Sequence, residues 1–264
     1  MSLGEKLRGH LPYLRRYARA LTGGQQSGDA YVRATLETIV GAPSEFDDSV
    51  GTRPGLYRVF HKIWQSVHVD GGTQVDPQNE IEKAALKKLS IVTPLSRQAL
   101  LLTALEGFRE EEVAFITGLA VGQIDQLLTD AMEELDRETR TNVLIIEDEP
   151  LISMELEQIV RDLGHDIAGT AATHKDALTA VEKTRPGLVL ADIQLADGSS
   201  GIDAVQDIVR QSPVPVIFIT AFPEKLLTGD RPEPAFLITK PFQTSAVKAA
   251  ISQALFFELK TVMA

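Results

Sequence analysis

The sequence predicts an all-α N-terminal half followed by a C-terminal α/β domain carrying a doubly wound, five-stranded parallel sheet. Three observations predict it. Up to about residue 137 the apolar residues recur at helical spacing; from Thr141 onward short apolar runs alternate with helical patterns; and 264 residues exceed what one small domain usually needs.

Residues 3 to 22 set Leu7, Leu11, Leu14, Ala18 and Leu21 on one helix face and leave Arg15, Arg16 and Arg19 on the other. Those arginines read as a solvated face, with an acidic partner or the acidic C-terminal half as the alternative company. Gly23-Gly24 ends the helix. A second helix is expected from about Asp29, read as its N-cap region, to Val40. A third runs from about Pro54 through Leu56, Val59, Phe60, Ile63 and Trp64, with the tryptophan in the core. Residues 70 to 80 carry turn formers and read as a flexible linker. Helices resume with Ile81 to Leu89 and, after Pro94, with Leu95 to Leu105. Glu110 to Thr117, the turn Gly118 to Gly122 and the amphipathic stretch Gln123 to Arg137 have the outline of a helix-turn-helix. On that last helix Ile124, Leu127, Leu128, Ala131 and Leu135 share one face. Asp125, Gln126, Thr129, Asp130, Glu133 and Asp136 share the opposite one.

In the second half, strands are expected near 142 to 146, 166 to 172, 187 to 191, 215 to 219 and 235 to 239. Helices are expected near 150 to 163, 174 to 184, 201 to 211 and 243 to 258, with a weak one near 223 to 228. Leu188 to Ala191 is a fully apolar run ending on Asp192; Val143 to Ile146 opens onto Glu147-Asp148, Val216 to Ile219 onto Thr220, and Phe236 to Thr239 onto Lys240. An open parallel sheet binds ligands outside the carboxyl ends of its strands, so these polar groups meet in one crevice. Three carboxylates crowded there need a cation or a proton. An all-oxygen site with an open face suits Mg²⁺, which would neutralise a phosphoryl donor and leave Asp192 free as a nucleophile that forms an aspartyl phosphate. Lys240 would pair with the phosphoryl oxygens and Thr220 would hydrogen-bond to one.

Composition excludes several classes. The chain has no cysteine, which removes disulfides, thiol catalysis and cysteine-ligated zinc. No apolar run approaches the roughly 20 residues of a membrane span, and no signal-peptide pattern opens the sequence, so a cytoplasmic protein is expected. Net charge is −11, unevenly spread. Residues 1 to 69 hold nine Lys/Arg against six Asp/Glu, residues 70 to 140 seven against fourteen, and residues 141 to 264 ten against seventeen. Only the first segment could offer nucleic acid a basic face. His10, His61, His68, His165 and His174 lack metal-ligand spacing. Asp197-Gly198-Ser199-Ser200-Gly201 lacks the lysine of a phosphate-binding loop and reads as a turn, with Ser200 capping the next helix.

The ordered set Glu147-Asp148, Asp192, Thr220-Ala221 and Lys240-Pro241 resembles the receiver domain of two-component response regulators over residues 141 to 260. The resemblance implies a flavodoxin-like fold and Asp192 as the phosphoacceptor. It also implies Mg²⁺ held by Glu147, Asp148, the Asp192 carboxylate and the Gln194 carbonyl, phosphate sensing by Thr220 and Lys240, and often a cis bond at the Lys-Pro step. One departure is Leu237, which stands where that family carries an aromatic switch residue, with Phe236 beside it.

In the first half, Leu11 to Gly23 and Arg53 to Val59 resemble region 2 of extracytoplasmic-function sigma factors, and residues 95 to 137 resemble their region 4. The implied division is 1–69 region 2-like, 70–80 linker, 81–138 region 4-like and 141–264 receiver. In sigma factors the helix matching Gln123 to Arg137 reads the promoter with Lys or Arg at positions held here by Asp125, Leu127, Asp130 and Met132, and residues 123 to 136 contain no cation at all. Acids there repel DNA phosphates. Arg33 and Ala34 replace the usual Gln and acid of the polymerase-contact segment, which weighs against polymerase binding. A receiver joined to a sigma-like half without DNA chemistry is similar to the alphaproteobacterial general stress response regulators. That resemblance implies a non-enzymatic anti-anti-sigma factor. It further implies a sensor histidine kinase or phosphotransferase as phosphodonor, an expected contact between receiver and sigma-like half, and an anti-sigma factor of the NepR type whose sequestration would free an extracytoplasmic-function sigma factor. DNA and membrane are not partners on this reading. The alternatives are a phosphorylation-controlled, promoter-binding transcription factor, which would show salt-dependent DNA binding, and a phosphate sink that drains a kinase through Asp192 without recruiting a protein.

Overall fold

The computed structural model describes residues 3–69, 93–135, 140–195, 197–223, 226 and 234–262. The expected linker 70–80, the helix Ile81 to Leu89, Asp136 and most of the weak helix near 223 to 228 lie outside the described residues. Two compact units form, one built on Met1–Ala131 and one on Met132–Glu258. Among the described residues, no helix is long and apolar enough to cross a membrane.

The first unit is all-helical. Helices α1 (Leu3–Arg8), α2 (Leu11–Thr22), α3 (Gln25–Gly41) and α4 (Thr52–Val69) precede α5 (Leu95–Leu100), α6 (Glu110–Thr117) and α7 (Val121–Leu135). Leu14, Tyr17, Leu21, Leu56, Tyr57, Phe60 and Trp64 form a core with Leu101, Leu102, Val113, Ile116 and Ile124. Gly23 ends α2 at φ 72°, a left-handed conformation that glycine adopts without a Cβ penalty. Gly118, at φ 77°, does the same between α6 and α7. The α7 backbone is then started by the Gln123 side chain, whose Oε1 accepts from the Ala120 amide at 2.9 Å. Ile124 and Ala131 are buried, Leu127 and Leu128 pack partly buried against the core, and Asp125, Gln126, Thr129, Asp130 and Glu133 are exposed.

Three expectations for this unit need correcting. Arg16 and Arg19 are not a solvated face: they are 6% and 0% exposed. Arg19 meets Asp29 through Nη2 at 2.9 and 3.0 Å, and Arg15 Nη2 reaches the same carboxylate at 3.3 Å. Asp29 is therefore an ion-pair partner within α3 and not its N-cap; α3 begins four residues earlier with Gly24 as N-cap. The helix expected over Leu95 to Leu105 changes character at Leu101, where a π-helical turn (Leu101–Leu105) follows α5 and the Glu106 amide donates to Leu101 O at 3.1 Å. Such a turn accommodates one extra residue and rotates the succeeding side chains by about 100° around the helix axis. Glu106 follows the turn with its side chain fully buried.

The second unit is a five-stranded, fully parallel sheet of order β2-β1-β3-β4-β5, with β1 Asn142–Ile146, β2 Asp166–Ala171, β3 Leu188–Ala191, β4 Val216–Thr220 and β5 Phe236–Thr239. Its helices are α8 (Pro150–Asp162), α9 (His174–Thr184), α10 (Gly201–Gln211) and α11 (Thr244–Val262). Leu144, Ile146, Val189, Ala191, Phe218 and Leu237 cluster with Ala177 and Val181 of α9 and Ala204, Val205 and Ile208 of α10. The alternate residues Val143, Ile145, Leu188, Leu190, Ile217 and Ile219 are also buried, as expected of a parallel sheet covered on both faces. Thr173 caps α9 and Ser200 caps α10, each side-chain oxygen accepting an amide three residues on (3.1 and 3.2 Å). Asp197 Oδ1 accepts from the Ser199 amide at 2.9 Å, so residues 197–200 form the expected turn and cap.

Candidate functional site

The strand order reverses at β1 and β3, whose carboxyl ends therefore frame a crevice. In-register pairing of Ile146 with Ala191 brings Glu147 and Asp192 to the same level, and the Asp192 amide donates to Ile146 O at 2.8 Å. Thr220 pairs with Thr239 across β4 and β5, and the Lys240 amide donates to Thr220 O at 2.8 Å. The Lys240-Pro241 bond is cis.

One carboxylate oxygen from each of Glu147, Asp148 and Asp192 lies within 4.8 Å of the others. Lys240 Nζ sits among them, 2.7 Å from Asp192 Oδ2 and 2.8 Å from Glu147 Oε2, with Glu149 Oε1 at 3.5 Å. Burial pushes the Glu147 carboxyl above its usual pKa against the pull of Lys240. Burial would lower Lys240, but its hydrogen bonds to Asp192 and Glu147 outweigh that and hold it above the ordinary lysine value. The three clustered carboxylates against one ammonium leave a formal charge of −2, to which exposed Glu149 adds −1 at the rim, and a divalent cation would offset most of this excess.

Asp192 is held from both sides. Its Oδ1 accepts from the amides of Ile193 (2.6 Å) and Gln194 (3.4 Å), leaving Oδ2 toward Lys240. Gly201 passes so close behind that an added Cβ would lie 1.7 Å from Asp192 O, so this position requires glycine. Thr220 is fully buried, and its Oγ1 accepts from the Phe222 amide at 3.2 Å. Leu237 and Phe236 are both buried in β5.

The structure thus brings Glu147, Asp148, Asp192 and Lys240 together and places Thr220 at the end of the neighbouring strand. Gln194 comes next as an exposed residue that bridges to Ser200. Glu149 is the site residue that sequence reasoning passed over. Its signal was the unbroken acidic run Glu147-Asp148-Glu149. Two histidines have partners of their own: His61 is buried with Nε2 2.8 Å from the Tyr17 hydroxyl, and His174 Nε2 lies 3.1 Å from Asp207.

A second polar centre, unforeseen from sequence, lies inside the helical unit. Glu106, fully buried at its side chain, accepts from Arg16 Nε (3.1 Å) and Nη2 (2.9 Å) through Oε1, and from Arg53 Nη2 (2.9 Å) and the Tyr57 hydroxyl (2.8 Å) through Oε2. Burial and then the Glu106 charge raise the Tyr57 pKa well above the tyrosine norm, which keeps this hydroxyl a donor. The centre joins α2 and α4 to the end of the π-turn.

Comparison with known proteins bears on both units. A family model described as the Sigma2 domain of PhyR matches residues 7–61, one described as the sigma-like domain of response regulator PhyR matches 89–138, and the response regulator receiver domain matches 143–252. The chain is 54% identical to the phyllosphere-induced regulator PhyR of Methylorubrum extorquens, over 98% of this chain and 96% of that protein. Among solved structures it is similar to the response regulator PhyR from Brucella abortus (48% identity, TM-score 0.87, 100% of this chain and 98% of that one). It is also similar to the anti-anti-sigma factor PhyR from Bartonella quintana (48% identity, TM-score 0.86, 99% of each chain). With an acidic pocket at the switch of a parallel sheet and a helix-turn-helix unit before it, the chain belongs to the PhyR family of response regulators, in which a sigma-like half is joined to a receiver.

Proposed function

We propose that the chain is a phosphorylation-activated response regulator acting as an anti-anti-sigma factor in the general stress response. Its sigma-like half, region 2-like over 1–69 and region 4-like over 81–138 with 70–80 as linker, presents a sigma-shaped surface to an anti-sigma factor of the NepR type. The extracytoplasmic-function sigma factor held by that partner is thereby freed. The observation that carries this reading is α7. Its exposed face holds Asp125, Asp130 and Glu133 and no Lys or Arg, so a helix placed like a promoter reader would repel phosphate. The Bartonella quintana relative is described as an anti-anti-sigma factor, which agrees with the same role here.

Asp192 is the phosphoacceptor on this reading. A carboxylate oxygen of Asp192 attacks the phosphorus of a donor carried by a sensor histidine kinase or phosphotransferase; the new P–O bond forms as the donor group leaves with the bonding electrons. Glu147, Asp148, the Asp192 carboxylate and the Gln194 carbonyl would hold Mg²⁺, and the excess negative charge of the carboxylate cluster fits that ion. When bound, Mg²⁺ supplies charge neutralisation for the phosphoryl oxygens. Lys240 then exchanges its carboxylate partners for phosphoryl oxygens, and the Thr220 hydroxyl donates to one of them.

The modification biases the chain between two states, toward the one that binds the partner. Shifting a population from 1:99 to 99:1 takes about 5.5 kcal/mol, which phosphate and partner supply jointly. A cytoplasmic location and a regulatory, non-enzymatic role fit this reading. The experiment is a pull-down of the anti-sigma factor with and without a small phosphodonor and Mg²⁺, run beside a promoter-DNA shift at low salt. Donor-dependent capture without DNA retardation is expected. Salt-dependent DNA binding would instead favour a promoter-binding transcription factor.

A further inference from the structure

The Glu106 centre opens on one side into a cleft of about 280 Å³ lined by His10, Tyr13, Arg16, Arg53 and Glu106, all within the helical unit. Its charge does not cancel. Two guanidinium groups face one carboxylate, and the carboxylate is fully engaged: Oε1 is taken by Arg16, Oε2 by Arg53 and Tyr57. Arg16 is satisfied at Nε and Nη2 and lies over the Tyr13 ring at 5.3 Å. Arg53 is the incompletely used cation. It gives Nη2 to Glu106 O (2.7 Å) and Oε2 (2.9 Å) and stacks over Phe108 at 4.2 Å, while its buried Nε–H meets no acceptor among the described residues. Burial and then the nearby Arg53 lower the His10 pKa, so His10 lines the cleft as a neutral ring at pH 7. Among the described residues the cleft thus carries a net charge of +1, with the Tyr13 ring on its wall and an Arg53 guanidinium that stays 29% exposed.

We propose that this cleft is an anchoring subsite for one acidic side chain, Asp or Glu, of the protein that the sigma-like half captures. A monoanionic carboxylate neutralises the +1 and matches the planar edge of Arg53. A phosphate dianion would leave the cleft at −1 beside buried Glu106, so nucleic acid and phosphopeptide fit less well. The inference rests on the anti-anti-sigma reading for the identity of the partner, but not for the chemistry of the cleft.

The test has two arms on the full-length chain. In the partner-free arm, acetate and inorganic phosphate are titrated at constant ionic strength while the side-chain Nε–H resonances of Arg53 and exposed Arg8 are followed. Acetate is expected to shift Arg53 saturably and Arg8 negligibly; equal shifts, or a preference for phosphate, would overturn the proposal. In the partner arm, affinity for the NepR-type anti-sigma factor is measured in the presence of phosphodonor. Arg53→Gln is expected to weaken binding about tenfold to a hundredfold, the usual worth of a charge-assisted hydrogen bond, with Arg53→Lys recovering part of it and Arg8→Gln changing it less than twofold. One Asp or Glu of the partner, replaced by its amide, should cost the same factor in the unaltered chain and nothing further against Arg53→Gln. Partner amides that all bind within twofold overturn the subsite even if Arg53→Gln fails to fold. If the unaltered chain captures no anti-sigma factor, the functional reading fails, and the acetate arm still decides the cleft.

Discussion

The Lys240 ammonium lies 2.7 Å from Asp192 Oδ2, inside the ring of carboxylates that would hold a divalent ion. Lysine and metal therefore answer the same excess negative charge, and they oppose each other. Lys240→Gln is expected to tighten Mg²⁺ binding. Removing a unit charge ~5 Å from the ion is worth about 0.8 kcal/mol even at the dielectric of water, or roughly fourfold, and more in the buried crevice. Calorimetric titration with Mg²⁺ checks this; unchanged or weaker binding would show that Lys240 does not compete.

Glu106 holds Arg16 in a nearly dry environment. Glu106→Ala leaves that guanidinium without its counter-charge and is expected to cost about 3–5 kcal/mol. Trp64 is the chain's one tryptophan and sits in the core of the helical unit, so its fluorescence in urea reports that unit alone. A loss below about 1 kcal/mol would mean that Glu106 is not the counter-charge that holds Arg16.

Burial lowers the His61 pKa to about 3, well under the ordinary histidine value of 6.5. Because the folded form binds its proton later than the unfolded form, His61 costs nothing above pH 6.5, and stability falls as pH drops from there toward 3. The slope is about 1.4 kcal/mol per pH unit. His61→Gln is expected to flatten the Trp64-monitored stability between pH 6.5 and 5. An equal slope in both proteins would assign the acid sensitivity elsewhere.

The receiver was legible because its chemistry sits at strand ends. Fully apolar runs terminate on Asp192, Thr220 and Lys240, and a parallel sheet gathers such ends by construction. The exposed acids of α7 were equally legible, since helical periodicity alone separates Ile124 and Ala131 from Asp125 and Asp130. The Glu106 centre was not. Its partners come from residues 16, 53 and 57, which no local spacing connects to Glu106. For the same reason Arg16 and Arg19 looked solvated: periodicity places a side chain on a face but does not say whether Glu106 or Asp29 waits opposite.

On the proposed function, one modified aspartate commands a protein-binding, sigma-like surface. The decisive measurement is the affinity of the unaltered chain and of Asp192→Asn for the anti-sigma factor, each taken with and without a small phosphodonor in Mg²⁺. Tighter binding with donor is expected for the unaltered chain, and no donor effect for Asp192→Asn. A donor-dependent gain that survives in Asp192→Asn would contradict the switch.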